Sequence, residues 1–561
     1  MISILSYHNY GVFTIMNNGW AIAQNRRTVG KLSFSCCSPV VLMKKTLVII
    51  MRTVYYIFII NMDNGGLMFK NYESTRNSKL KTTASKAILK GIAEDSGLFV
   101  LGDIDKCIDI ESLRGKNYIE IAESVIGLML DDIPAARIKE CVKKAYTDKF
   151  SSDEITPVVK VGESFVTELF HGPTSAFKDV ALSILPHLMT ISYEMNDIDG
   201  EIIILTATSG DTGKAALEGF RDVKGTQIVV FYPESGVSEV QKAQMVTQEG
   251  ANTHVCAIRG NFDDAQTGVK KIFTDEKLIK EFEENNKIFS SANSINIGRL
   301  VPQVAYYFYT YVQLTEKNEI SMGDAVNFSV PTGNFGNILA GYYAKMLGLP
   351  INRLLCGSNE NNVLYDFIKT GVYDRNREFH KTISPSMDIL ISSNLERLLY
   401  YVSNKDNEAV KAMMDQLNSQ GKYEVSDEIK EKIRQEFYAG CVYKEDTEKT
   451  IKEVYDKYSY LLDTHTAVAY KTLADYRRET GDDTVSIVLS TASPYKFSKS
   501  VYESLFGAND KDEFEIMEEL AERTGVPIPE NLKGLNKKKI IHTKVCEINE
   551  MEKYARKIAE L

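Results

Sequence analysis

Ala325–Gly341 reads AVNFSVPTGNFGNILAG, an apolar strand that passes through Pro331 into a glycine-bearing turn and leaves it as a helix. β-Branched and aromatic residues across Val326–Val330 favour extended backbone. Gly333 and Gly336 let the chain turn tightly, and a helix opening near Ile338 aims its free N–H groups and positive dipole end into that turn. A phosphate suits such a place, and a plain glycine-rich connection is the other reading of the turn taken alone. A dinucleotide fingerprint is incomplete here, because the glycine set falls short and no acidic residue stands about 20 positions further on.

The same alternation recurs outward from this stretch. EIIILTAT is followed by GKAALEGFRD, TQIVVFYP by SEVQKAQMVTQ, and TVSIVLST ends another apolar run. Short apolar strands separated by helices argue for right-handed βαβ units and parallel sheet covered on both faces, an α/β protein whose ligands sit at the carboxyl ends of strands. Two further strand ends carry polar groups. Thr208–Gly213, in TATSGDTGKAAL, puts small hydroxyl and glycine residues at a helix start; such a loop can hold a carboxylate through backbone donors, or be a bare turn. It fails the nucleotide P-loop pattern at Thr208 and at Ala215. Thr491 ends an apolar strand in VLSTASPYKF, while His465 in LDTHTAVAY and Arg299 in SSANSINIGRL are polar residues of similar standing.

FHGPTSAFKDVAL, Phe170–Leu182, sets Lys178 among apolar neighbours in the first turn of an expected helix. Desolvation and the helix dipole both lower the pKa of an amine so placed, which makes it a nucleophile or Schiff-base former; a snorkelling surface lysine is the alternative.

The remainder sets bounds. The 561 residues exceed one ordinary domain, and 66 Lys+Arg against 76 Asp+Glu give a net charge of −10 without a concentrated basic stripe, so nucleic acid is not an expected partner. Eight scattered cysteines show neither zinc spacing nor a disulfide framework, as expected in a reducing cytoplasm. Residues 1–67 differ from the rest: VVLMKKTLVIIMRTVYYIFIINM is apolar but interrupted by Lys44, Lys45 and Arg52. The expectation is a leader or extension outside the α/β fold, with Met68 an available alternative start and a membrane anchor as the rival reading. Ser403–Lys457 is charged and reads as helical insertion, and INEMEKYARKIAEL as a closing surface helix.

In order, YESTRN, FHGPTSAFKD, ATSGDTGKAA, SSANSINIGRL, PTGNFGN, SPSMDILISSNLERLL, DTHTAVAY and STASPYKF resemble the threonine synthase family, from Met68 almost to the end. The resemblance implies a pyridoxal-phosphate enzyme of the tryptophan-synthase β-like fold, with parallel sheets in two cofactor-binding lobes, a small N-terminal helical region and a helical insertion. Its implied divisions are 1–67 (leader or extension), 68–165 (N-terminal region), 166–400 (catalytic core), 401–460 (insertion) and 461–561 (end of the core and closing helices).

By the same resemblance Lys178 is the lysine that carries pyridoxal phosphate and acts in catalysis. Gly333, Asn334, Phe335, Gly336 and Asn337 cradle the cofactor phosphate, Thr491 faces the pyridine nitrogen, and Asp211 stands near the cofactor hydroxyl. The loop Thr208, Ser209, Gly210, Asp211 and Thr212 receives the substrate carboxylate. Leu101, where proline is expected, and residues 1–67 depart from the family pattern.

The implied reaction turns O-phospho-L-homoserine and water into L-threonine and phosphate in the cytoplasm, by a monomer or homodimer. A phosphate ester needs a second cation, for which Arg299 is the first candidate and Lys214 the second. A dehydratase or phospholyase of the same fold, or a non-catalytic cofactor-binding protein, are the rivals.

Overall fold

Runs such as Ile202–Leu205 and Val326–Val330 are apolar at consecutive positions, so neither face of the strand can meet water and each must lie inside a sheet covered on both sides. The computed structural model, which describes residues 13–16, 19–22 and 72–561 apart from 105, 106, 199, 209 and 236, places them so. The chain divides into two units, Met1–Met68 and Phe69–Leu561. In the first, Phe13–Met16 pairs antiparallel with Gly19–Ile22, and the apolar run expected as leader or anchor lies outside the described residues. No helix among the described residues is long and apolar enough to cross a membrane.

The second unit holds two largely parallel sheets, whose strands are numbered here along the chain. They are β1 (Val158–Val161), β2 (Ser164–Glu168), β3 (Glu201–Ala207), β4 (Thr226–Pro233), β5 (Thr253–Ile258) and β6 (Lys287–Ser291). There follow β7 (Val326–Pro331), β8 (Ile351–Ser358), β9 (Phe437–Cys441), β10 (Ser486–Ser490) and β11 (Lys544–Cys546). One sheet runs β6-β3-β4-β5-β11, all parallel. The other runs β9-β8-β7-β10-β2-β1, parallel except for the β1–β2 hairpin. Helices α1 (Lys178–Leu182), α2 (Asp211–Phe220), α3 (Ile297–Glu316), α4 (Gly336–Met346) and α5 (Thr464–Thr480) position the site described below. Almost every residue of α3 is buried, down to Leu314, which makes it a core helix and no surface element.

Three expectations need correction. The N-terminal region is not only helical: Phe99–Leu101, in the stretch DSGLFVLGDI whose sequence reads as extended, joins Tyr72–Ser74 and Asn77–Thr82 in an antiparallel sheet beside its helices. The segment read as a helical insertion supplies β9, whose Phe437 and Ala439 are buried where it pairs with β8. The closing segment adds β11 to the edge of β5 before its last helix, Met551–Ile558. The missed strands have six residues or fewer, and β9 and β11 are extended because they pair with neighbours distant in sequence.

Candidate active site

Strand ends from both sheets meet in one cavity. At the end of β7 the chain passes Thr332, Gly333 and Asn334, and Phe335 takes the left-handed conformation at φ 60 before α4 begins at Gly336. Glycine is required at 333, since a Cβ there would lie 2.6 Å from the Ser386 carbonyl oxygen. The loop is braced from outside, by Ser392 Oγ donating to the Gly333 carbonyl at 2.7 Å and Asn394 Nδ2 to that of Asn334 at 3.0 Å. No side chain caps α4, so its leading N–H groups remain available to an anion. Asn337 accepts from the Tyr306 hydroxyl at 2.5 Å through Oδ1, while its buried Nδ2 has no partner among the described residues.

At the end of β3, Thr208 Oγ1 accepts the N–H groups of Gly210 and Gly213, both at 2.9 Å, which closes the turn. Thr208 and Thr212 line the cavity. Gly210 sits at φ 145, and Ser209 lies outside the described residues. Lys214 is not in the cavity lining: one helical turn separates it from Glu218, to which its Nζ pairs at 2.9 Å, and it also donates to Gln248. The expectation that it offers a free cation to the substrate is therefore corrected.

Lys178 opens α1 with Nζ 3.2 Å from Ser386 Oγ and 3.6 Å from Asp211 Oδ2. Burial pushes its amine down to about 8; Asp211 opposes this, and Arg299 and Lys496 reinforce it. Burial by itself would raise the Asp211 carboxyl, but Lys496 and Lys178 outweigh it and hold the group well below the usual carboxylate range. The turn bearing Lys178 is tied to the end of β10, because the Phe177 N–H donates to the Thr491 carbonyl at 2.8 Å. The Thr491 N–H donates to Thr466 Oγ1 at 3.3 Å, and Thr491 itself lines the cavity.

Arg299, in the first turn of α3, is 3% exposed. Its Nη1 donates to the Ala292 carbonyl at 3.0 Å, and its buried Nε has no partner among the described residues. Desolvation pushes this guanidinium down to about 10. Among the described residues no carboxylate pairs with it, so a buried cation lines the cavity without compensation.

The sequence reading assigned no role to several residues that the structure brings here. Ser386 touches Lys178 and also donates through Oγ to Asp211 Oδ2 at 3.3 Å. Its N–H donates to His465 Nε2 at 3.1 Å, and His465 Nδ1 is oriented by Asp463 at 3.0 Å. Lys496 lies at 2.8 Å from Asp211. Ser386 and Lys496 stand inside the quoted stretches SPSMDILISSNLERLL and STASPYKF, and Lys496, between Tyr495 and Phe497, is like Lys178 a lysine with apolar neighbours.

Comparison with known proteins adds the family context. Residues 150–491 match the family described as pyridoxal-phosphate dependent enzyme, residues 71–146 match threonine synthase N terminus, and residues 466–554 match threonine synthase, C-terminal. Threonine synthase of Saccharomyces cerevisiae is 37% identical over 467 residues, which cover 78% of this chain and 89% of that protein. Threonine synthase-like 1 of Homo sapiens is 41% identical over 437 residues, 75% of this chain, and the match spans 58% of that protein's length. The crystal structure of PLP-bound threonine synthase from Brucella melitensis superposes with a TM-score of 0.77 at 36% identity, covering 88% of this chain and 100% of the other.

Proposed function

The chain belongs to the threonine synthase family of pyridoxal-phosphate-dependent enzymes, and from that premise we propose that it converts O-phospho-L-homoserine and water into L-threonine and phosphate. The observation that carries the reading is Arg299, a buried guanidinium without a carboxylate partner in the cavity that holds Lys178. A dehydratase acting on an unphosphorylated amino acid has no use for that charge, whereas the phosphate of a phosphorylated substrate compensates it.

The residues present fit pyridoxal phosphate. An orphaned donor, Asn337 Nδ2, is buried at the cavity in the turn after β7, and Gly333 leaves room that a Cβ would fill. In this reading Lys178 Nζ would hold the cofactor, and Gly333, Asn334, Phe335, Gly336 and Asn337 would hold its phosphate. Thr491 would face the ring nitrogen and Asp211 the ring hydroxyl. When bound, pyridoxal phosphate supplies an electron sink for negative charge developing at the substrate α-carbon.

The chain's own residues do the rest. Thr208, Ser209, Gly210 and Thr212 receive the substrate carboxylate, and Arg299 grips its phosphate. Lys178, when its amine is free, would take a proton from Cα and then from Cβ and return protons to the carbon skeleton. The Cγ–O bond breaks as phosphate leaves, and the oxygen of water bonds to Cβ. An amine held near 8 exchanges protons in both directions close to neutral pH. The test is product balance from purified holoenzyme given O-phospho-L-homoserine. Equal amounts of threonine and phosphate are expected, and phosphate released with an oxo acid and ammonia would assign a lyase.

A further inference from the structure

Lys496 is fully buried, which is rare for a lysine because its ammonium is costly to take out of water unless paired. Its Nζ lies 2.8 Å from Asp211 Oδ1 and donates to the Thr174 carbonyl at 2.9 Å. Lys178 approaches the other oxygen of the same carboxylate at 3.6 Å. One carboxylate thus stands between two ammonium groups, and the nearer belongs to a lysine with no part in the proposed chemistry. Gln241 Nε2 donates to the same Oδ1 at 2.8 Å, which fixes the carboxylate's orientation. A buried lysine that faced an otherwise unpaired carboxylate would be held protonated in an ion pair, the opposite of what a proton-carrying amine requires.

We propose that Lys496 is a positioning residue for Lys178: by engaging Asp211 from the far side it satisfies that carboxylate and leaves Lys178 free to bond the cofactor and to move protons. This rests on the reading of Lys178 as the cofactor-bearing lysine. The charged groups facing Lys178 are Asp211, Arg299 and Lys496, and of these Asp211 alone favours the ammonium. Near Lys496 stand also Asp179 and Lys214. Asp179 is occupied by the Thr174 N–H at 2.8 Å and hydroxyl at 2.5 Å, and Lys214 is tied to Glu218. Asp211 is therefore the carboxylate that Lys496 serves.

The test uses holoenzyme carrying Lys496→Met, Lys496→Arg, Asp211→Asn, or Asp211→Asn with Lys496→Met. The readout is the pH at which the visible absorbance of the bound cofactor changes, which reports protonation at Lys178 Nζ. Losing Lys496 removes a like charge and turns the whole Asp211 charge toward Lys178, so the midpoint rises by about one pH unit or more in Lys496→Met. Lys496→Arg keeps the cation and stays near the parent. In the Asp211→Asn background the same loss of Lys496 raises the midpoint less, through lost repulsion alone, because no carboxylate is left to turn toward Lys178. That double variant buries no lone charge and supplies the comparison if Lys496→Met does not fold. A midpoint unmoved in Lys496→Met, or raised as far by losing Lys496 in the Asp211→Asn background as in the parent, overturns the proposal; where Lys496→Met does not fold, an Asp211→Asn midpoint at or above the parent's overturns it. Threonine formation is scored separately, and Lys178→Ala tests the premise by whether that absorbance disappears, so the three failures are distinguishable.

Discussion

Replacing Arg299 with methionine keeps an unbranched apolar stem and removes the charged guanidinium, and the two consequences run in opposite directions. In the protein without ligand the guanidinium is buried without a counter-charge and pushed down to about 10. A shift of that size corresponds to roughly 3 kcal/mol opposing the charged form. For a base whose folded pKa lies below its unfolded value, this cost is present at every pH below about 10 and disappears only as pH rises toward the unfolded value. The methionine variant escapes it but forfeits the hydrogen bond to the Ala292 carbonyl, worth about 1–3 kcal/mol once the orphaned acceptor is counted. Its melting temperature without ligand is therefore expected to equal or exceed the parent's.

With phosphorylated substrate the sign reverses. One or two charge-assisted hydrogen bonds to phosphate are lost, about 2–4 kcal/mol, so kcat/KM for O-phospho-L-homoserine falls roughly 30- to 1,000-fold. Inorganic phosphate, which raises the parent's melting temperature by binding the folded state, should then lose much of that effect. Thermal melts with and without phosphate, beside steady-state kinetics, read both limbs. A kcat/KM within threefold of the parent, with the phosphate-induced shift intact, refutes the assignment of Arg299.

Lys178→Ala should abolish the visible absorbance of bound cofactor and all turnover; in the parent, cofactor uptake by the apoprotein should quicken as pH rises through about 8, because only the neutral amine attacks. An uptake rate flat across that range, measured by stopped-flow absorbance, would contradict the placement of that amine. Thr491→Asp should raise the ratio of pyridoxamine phosphate to threonine, since a carboxylate at the ring nitrogen favours the protonated ring, while Thr491→Ser leaves the ratio near the parent's; chromatography of products reads it. Lys214→Ala should change kcat/KM less than threefold, a bound drawn from its pairing with Glu218 outside the cavity lining, and a loss comparable to that of Arg299→Met would return Lys214 to the substrate site.

What the sequence disclosed follows the range over which each feature is determined. The β7 turn and the place of Lys178 were legible because strand propensity, glycine freedom and an amine among apolar residues are decided within about a dozen neighbouring residues. Lys214 misled because its closeness in sequence to the Thr208–Thr212 loop says nothing of direction, which the helical turn to Glu218 sets. Ser386, His465 and Lys496 come to Lys178 and Asp211 from segments far along the chain, and β9 is extended only because β8 lies beside it. The pairing of Lys496 with Asp211 depends on how the β10 end packs against α2, which no local pattern encodes.

The central claim is that phosphate leaves Cγ and water adds at Cβ in one active site. It is tested most directly by running the reaction in water enriched in heavy oxygen and examining both products by mass spectrometry. The account predicts threonine carrying solvent oxygen at its hydroxyl and phosphate released without solvent oxygen, because the carbon–oxygen bond breaks. Heavy oxygen in the phosphate, with homoserine in place of threonine, would show hydrolysis at phosphorus and contradict it.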